Sequence, residues 1–252
     1  LETVVPVLED QLAEPDLREP ERTEVAHVLA VILHTQFSQY GQLGMLHESG
    51  ACNCRLIALA RMMQPGRIQT FWHALARYEQ MDLAIDGGEY ETGQQRGVEV
   101  LALFEANEFE SLIYGVERGG AFWRSGVLLN LAFAALALGD YALSEDYFSR
   151  SFAARDATGE ERFKGMELGT YAELARITGD LARAEELARE GLRLSTVYGD
   201  RIGIALGCLA VGTQLVAQDR RVPARHHLYQ SLEIGRSSGR LDIVMKSLCQ
   251  LG

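Results

Sequence analysis

The chain has 252 residues, of which 47% are hydrophobic and 23% charged, with a formal net charge of -11. That composition describes a folded chain with a sizeable core and excludes intrinsic disorder. The acidic balance, with Lys and Arg scattered, gives no support to phosphate-backbone binding, so direct nucleic-acid contact by this segment is not expected.

In chain order, Leu1 to Glu24 comes first, with eight acidic residues, two basic ones, and prolines at Pro6, Pro15 and Pro20. Residues 1–21 read as an acidic connector or an edge helix. Residues 22–252 read as an array of about five helix pairs plus the start of a sixth at Leu241. The first pair runs from Arg22 to Met63 with a turn near Tyr40-Gly41, and the second from Ile68 to Phe109 with a turn at Gly87-Gly88-Glu89-Tyr90. From Gly88 to Gly139 the spacing departs from that of the later repeats, which places an insertion near residues 108–120. Three further pairs follow. They are Ala121 to Leu138 with Tyr141 to Ala157, Arg162 to Thr178 with Leu181 to Tyr198, and Ile202 to Ala217 with Val222 to Ser237. Gly139-Asp140, Gly179-Asp180 and Gly199-Asp200 each serve as stop and start, because Gly frees the backbone past a helix end and Asp caps the next helix. Gln218-Asp219-Arg220 occupies the last such turn. The chain opens on Leu and stops at Gly252 within a helical pattern, and the expectation is an excised piece of a longer polypeptide.

The period is 40 residues. Ser144, Ala184 and Ala224 form one row, Phe148, Ala188 and Leu228 a second, Ser151, Gly191 and Ser231 a third, and Ala132, Ala172 and Gly212 a fourth, while Gly159, Gly199 and Gly239 mark turns. Fixed-period self-similarity means that each unit buries its apolar face on its neighbours. An all-α solenoid of stacked antiparallel helix pairs is the predicted fold class.

Leu131-Ala132-x6-Gly139-Asp140-Tyr141-x2-Ser144-x3-Phe148-x2-Ser151 resembles a tetratricopeptide repeat, and Tyr171-Ala172-x6-Gly179-Asp180-Leu181-x2-Ala184-x3-Ala188-x2-Gly191 repeats the pattern. The period exceeds the usual 34 and the repeat-ending proline is replaced by glycine. Junctions such as Gly199-Asp200-Arg201-Ile202-Gly203-Ile204-Ala205 are similar to the helical arms of bacterial signal-transduction ATPases and maltose-regulator-type transcription activators. The resemblance implies a right-handed superhelix and an arm that receives an inducer or a protein partner. It also implies that the first helix of each pair lines a concave groove, which makes Leu129, Phe133 and Leu136, then Gly169, Glu173 and Arg176, then Leu209, Thr213 and Val216 the groove-facing candidates. Glu173 and Arg176, three apart, share a helix face and can pair with each other or meet a ligand. Phe133 reads either as inter-repeat core or as a peptide anchor.

Chemistry-bearing residues outside the groove favour plain readings. His226-His227 point about 100° apart on a helix and cannot share a metal. His27 and His34 share a face of an apolar helix without a third ligand, and read as satisfied, partly buried histidines. Cys52-Asn53-Cys54 splays its thiols, and with Cys208 and Cys249 it makes neither a zinc set nor a disulfide framework. There is no phosphate loop, no H-E-x-x-H and no G-x-S-x-G. No catalytic residue, metal or cofactor is expected. No apolar run approaches the roughly 20 residues of a membrane span and no leader pattern opens the chain, so the expected location is cytoplasmic.

The leading functional expectation is a non-catalytic module that binds a protein, a peptide or a small inducer as the sensor or scaffold arm of a larger regulatory protein. Self-association is the alternative, suggested by Val28, Leu29, Val31, Ile32 and Leu33 covering most of one helix circumference. An enzyme using inner-face carboxylates, Asp82 and Glu173, ranks last.

Overall fold

A computed structural model describes residues 3–107, 109, 111–113, 116–118, 120–157, 161 and 164–252. Among them are twelve α-helices: α1 (Val4–Ala13), α2 (Glu21–Gln42), α3 (Leu46–Met62), α4 (Arg67–Asp86), α5 (Tyr90–Ala106), α6 (Gly120–Ala137), α7 (Tyr141–Asp156), α8 (Lys164–Ile177), α9 (Leu181–Val197), α10 (Arg201–Ala217), α11 (Arg221–Ser237) and α12 (Leu241–Leu251). A two-stranded antiparallel hairpin, β1 (Ser111–Ile113) and β2 (Val116–Arg118), lies within the stretch read as an insertion, with Leu112 opposite Glu117. The turn expected at Gly159 and the helix start expected at Arg162 lie outside the described residues, as do Glu108 and Gly119 of the insertion. The chain divides into two compact units, Leu1–Asn130 and Leu131–Gly252, with the boundary inside α6.

In the first unit α1 packs on α2 through the buried Val5 and Leu12. The Arg22 guanidinium donates to the carbonyls of Leu12 at 3.1 Å and Leu17 at 2.9 Å, which gives a partner to one carbonyl left over at the end of α1 and to one in the link that follows. The turn after α2 falls at Leu43-Gly44 rather than at Tyr40-Gly41, because Gly44 takes the left-handed conformation with φ +74° while Gly41 stays helical. The apolar circumference of α2 is largely covered within this unit. Leu29, Ala30, Ile32 and Leu33 are buried and Val28 stands exposed. Edge-to-face aromatic contacts of Phe71 with Trp72 (5.2 Å), Phe109 (5.7 Å) and Trp123 (5.7 Å) fill the core.

Polar groups enter this core in pairs, as burial requires. His34 Nδ1 lies 2.8 Å from Glu79 Oε1, and Asn53 Nδ2 donates to Glu79 Oε2 at 2.9 Å and to the Ala76 carbonyl at 2.8 Å. Trp72 Nε1 donates to His27 Nδ1 at 3.0 Å. An indole nitrogen only donates, so His27 must accept there as the neutral tautomer, in line with the burial that lowers its pKa.

Asp82 is half-buried and accepts from Asn130 Nδ2. Burial, then the charges of Asp86 and Glu79, push its carboxyl well above the usual range. Between the usual range and that raised value the folded chain holds a proton that the unfolded chain has released, so stability falls as pH rises through the window. We expect Asp82→Asn to be more stable than the wild type near pH 7 and to converge with it near pH 4. Urea unfolding across that range reads the difference, and parallel curves at all pH would contradict the protonation.

The second unit shows why the period exists. Ser144, Ala184 and Ala224 are fully buried, as are Phe148, Ala188 and Leu228. Ser144 Oγ donates to the Ala132 carbonyl at 2.8 Å. Size is traded between facing rows. Ala172 and Ala188 share one buried cluster, whereas one period on a Cβ on Gly212 would come within 2.6 Å of Leu228 Cγ. The turns follow the sequence signals closely. Gly139, Gly179, Gly199 and Gly239 all have positive φ, and Asp219 takes the same role at φ 56°. Asp140, Asp180 and Asp200 cap the helices that follow by accepting from Leu143, Arg183 and Gly203 N–H groups.

On length and composition alone, α6 is the one described helix long and apolar enough to cross a membrane. Half of it is buried in the protein, with Val127, Leu131, Ala132, Ala134 and Ala135 at 0% exposure.

Candidate functional site

In the second unit the first helix of each pair turns one stripe toward a shared groove of about 500 Å³, within the size range of ligand pockets. The 40-residue register organises its lining. Phe133, Glu173 and Thr213 form one row across α6, α8 and α10, Gly169, Leu209 and Cys249 a second, Met166, Leu206 and Lys246 a third, and Thr170, Ala210 and Gln250 a fourth. Residues three, four and seven apart share a helix face, so a repeat that fixes one row fixes all of them. Leu136, Gln214 and Met245 complete the lining.

The nine groove candidates from the sequence do not all meet here. Phe133, Leu136, Gly169, Glu173, Leu209 and Thr213 line the groove. Leu129 belongs to the first unit and is half-buried there, and Val216 is exposed outside the lining. Arg176 takes part through Glu173 alone. Its Nε donates to Glu173 Oε2 at 2.8 Å and its Nη2 to Oε1 at 2.5 Å, and this bonding raises the Arg176 pKa. The rows of Met166 and Thr170 were not among the expected groove positions, although each sits one turn from a residue that was.

Phe133, read as core or anchor, is 40% exposed, a large aromatic surface at the groove. Around it are Leu136, Met166, Leu206 and Leu209, so the floor is apolar. Thr213 Oγ1 donates to the Leu209 carbonyl at 2.9 Å, which leaves its oxygen lone pairs for an incoming donor. Gln214 is 1% exposed and its Oε1 has no hydrogen-bond partner among the described residues. The arrangement can hold an apolar side chain and exchange a few hydrogen bonds with a polar backbone.

The other residues singled out have local roles. Cys52 and Cys208 are buried free thiols, and burial pushes Cys208 up to about 11. The His226 and His227 rings lie 5.5 Å apart on α11. Among the described residues no three of His, Cys, Asp and Glu gather as a ligand set. Tyr171 OH donates to Glu145 and accepts from Arg183, whose guanidinium lies 4.8 Å from the ring centroid, which ties α7, α8 and α9 together.

Comparison with solved structures places the fold. BtubC from P. vanneervenii superposes with a TM-score of 0.65 at 11% identity, covering 94% of this chain and 91% of that one. A kinesin light chain with nearly identical TPR-like repeats from Podosopora anserina gives 0.52 at 16% identity, covering 89% and 99%. A Rap protein complexed with Competence and Sporulation Factor gives 0.56 at 13% identity, covering 89% of this chain and 63% of the Rap chain. This chain has a tetratricopeptide-like helical-repeat fold. Neither a family model nor a curated protein sequence matches it.

Proposed function

We propose that the second unit is a non-catalytic recognition module whose groove binds a peptide or an extended segment of a protein partner. The observation that carries this reading is the exposed aromatic ring of Phe133, set among half-buried Met166, Leu206 and Leu209 across three successive first helices. A partly exposed aromatic in an apolar concavity is the usual anchor of a recognition surface. The Rap protein solved with Competence and Sporulation Factor supports the reading as a fold analogy. The resemblance of the repeat junctions to signalling-ATPase and transcription-activator arms supports a sensor or scaffold role in a larger cytoplasmic regulator, with a small inducer as the other class of occupant.

The test begins with selection of peptides from a displayed library of random 12-residue sequences on the wild-type chain. Enriched peptides should bind Phe133→Ala at least about ten-fold more weakly, as truncation of an anchor does. Equal affinity would remove the groove from the account.

A second reading, self-association, is favoured by α12. Met245 and Leu248 are 65% and 46% exposed, whereas Ala205 and Cys208, 40 residues earlier in α10, are at 0%. Light scattering over a concentration range decides it, since a monomer throughout leaves that face without a second copy.

A further inference from the structure

We propose that the groove selects peptides that carry an acidic side chain close to a large apolar one, with the carboxylate set against Lys246. This rests on the groove reading above and adds the chemical class of the ligand.

Charge comes first. Two charged residues, Glu173 and Lys246, line the groove with opposite formal charge. Each Glu173 oxygen accepts from the Arg176 fork, whose positive charge offsets the carboxylate. Lys246 is exposed and makes no salt bridge within 4 Å among the described residues, although its charge helps to lower the pKa of Asp242. The acid one turn before it, Asp242, is held by Arg240 through two bonds of 2.8 Å. The charge left for a ligand is therefore positive, in a chain whose net charge is -11. A basic peptide would meet Lys246 as a like charge and Glu173 as a carboxylate already bonded.

Gln214 is the second, independent observation. A nearly fully buried acceptor without a donor is costly, and it lines the groove. If the Gln214 side chain turns into the groove that it lines, a backbone N–H of a bound segment supplies that donor, which favours a peptide over an apolar molecule without donors. Apolar residues of α6, α8 and α10 lie on one side and Lys246 of α12 on the other, so the two ligand groups are ordered along the groove. Neighbouring helices pack about 8–10 Å apart, which limits an extended ligand across four of them to roughly seven to nine residues.

The probe is the same library of random 12-residue peptides, selected in parallel on the wild type, Lys246→Glu and Phe133→Ala. The wild type should enrich Asp or Glu within a few residues of Leu, Met or Phe, and Lys246→Glu should enrich Lys or Arg in its place. An enriched peptide and its Asp→Asn twin should differ about three- to five-fold in Kd on the wild type, with the gap closing as salt rises, and should bind Lys246→Gln with the same Kd as each other. No acidic enrichment, or a gap that persists in Lys246→Gln, overturns the assignment. Peptides that need Phe133 but show no acidic preference overturn the charge assignment alone. Peptides indifferent to Phe133→Ala, or an empty selection, overturn the groove reading with it.

Discussion

Glu167→Ala is expected to lower the unfolding free energy by about 3–5 kcal/mol, while the double variant Arg155→Met, Glu167→Leu stays near the wild type. Arg155 at the end of α7 and Glu167 in α8 form an ion pair with side chains 5% and 1% exposed. Burial outweighs the attraction of Arg155 and holds the Glu167 carboxyl above its usual range. Desolvation therefore exceeds the Coulombic gain, the condition under which a well-packed apolar pair does as well as an ion pair. Removing the carboxylate alone leaves the guanidinium buried without it, and that is where the large loss arises. Urea unfolding followed by helical circular dichroism measures both variants. A double variant as unstable as Glu167→Ala would show that the pair itself, and not the loss of one carboxylate beside a buried guanidinium, carries the stability.

Gly191→Leu is expected to cost about 3 kcal/mol or more, at the upper end of overpacking. A Cβ on Gly191 would lie 2.5 Å from the Gly165 carbonyl oxygen, and one on Gly165 would lie 2.8 Å from the Gly191 carbonyl oxygen. Here α8 and α9 touch backbone to backbone, and no side chain can move aside. Gly169→Ala provides the internal control. Its Cβ would meet the Ala210 Cβ at 3.6 Å, an ordinary contact, so the better helix propensity of alanine should leave stability unchanged or raise it by up to about 1 kcal/mol. Thermal unfolding of the two variants side by side tests the contrast, and equal behaviour would contradict the close crossing.

The period, the Gly-Asp turns and the buried small-residue rows were legible because they are local and repeated. Each row states the same steric demand three times, at Ser151, Gly191 and Ser231 for example. The non-repeated features were not. The Arg155–Glu167 pair joins residues 12 apart across a link between helices, with no counterpart one period away to call attention to it. The His34–Glu79–Asn53 cluster spans three helices of the irregular first unit, where the histidine could be read as satisfied but its partners could not be named. In the groove, the sequence supplied one stripe of each first helix. A real groove accepts a wider arc, so Met166, Leu206 and Lys246 lie beside the chosen stripe and were passed over. Glu173 and Arg176, the polar pair singled out, turn to each other, and the free charge belongs to Lys246.

Under the proposed function, a partner lies in the groove of the second unit. A photo-crosslinking benzophenone amino acid placed at Thr170, which lines the groove, should capture a library-selected peptide, while the same group at exposed Tyr229 on α11 should not. Capture at Tyr229 with none at Thr170 would contradict the account.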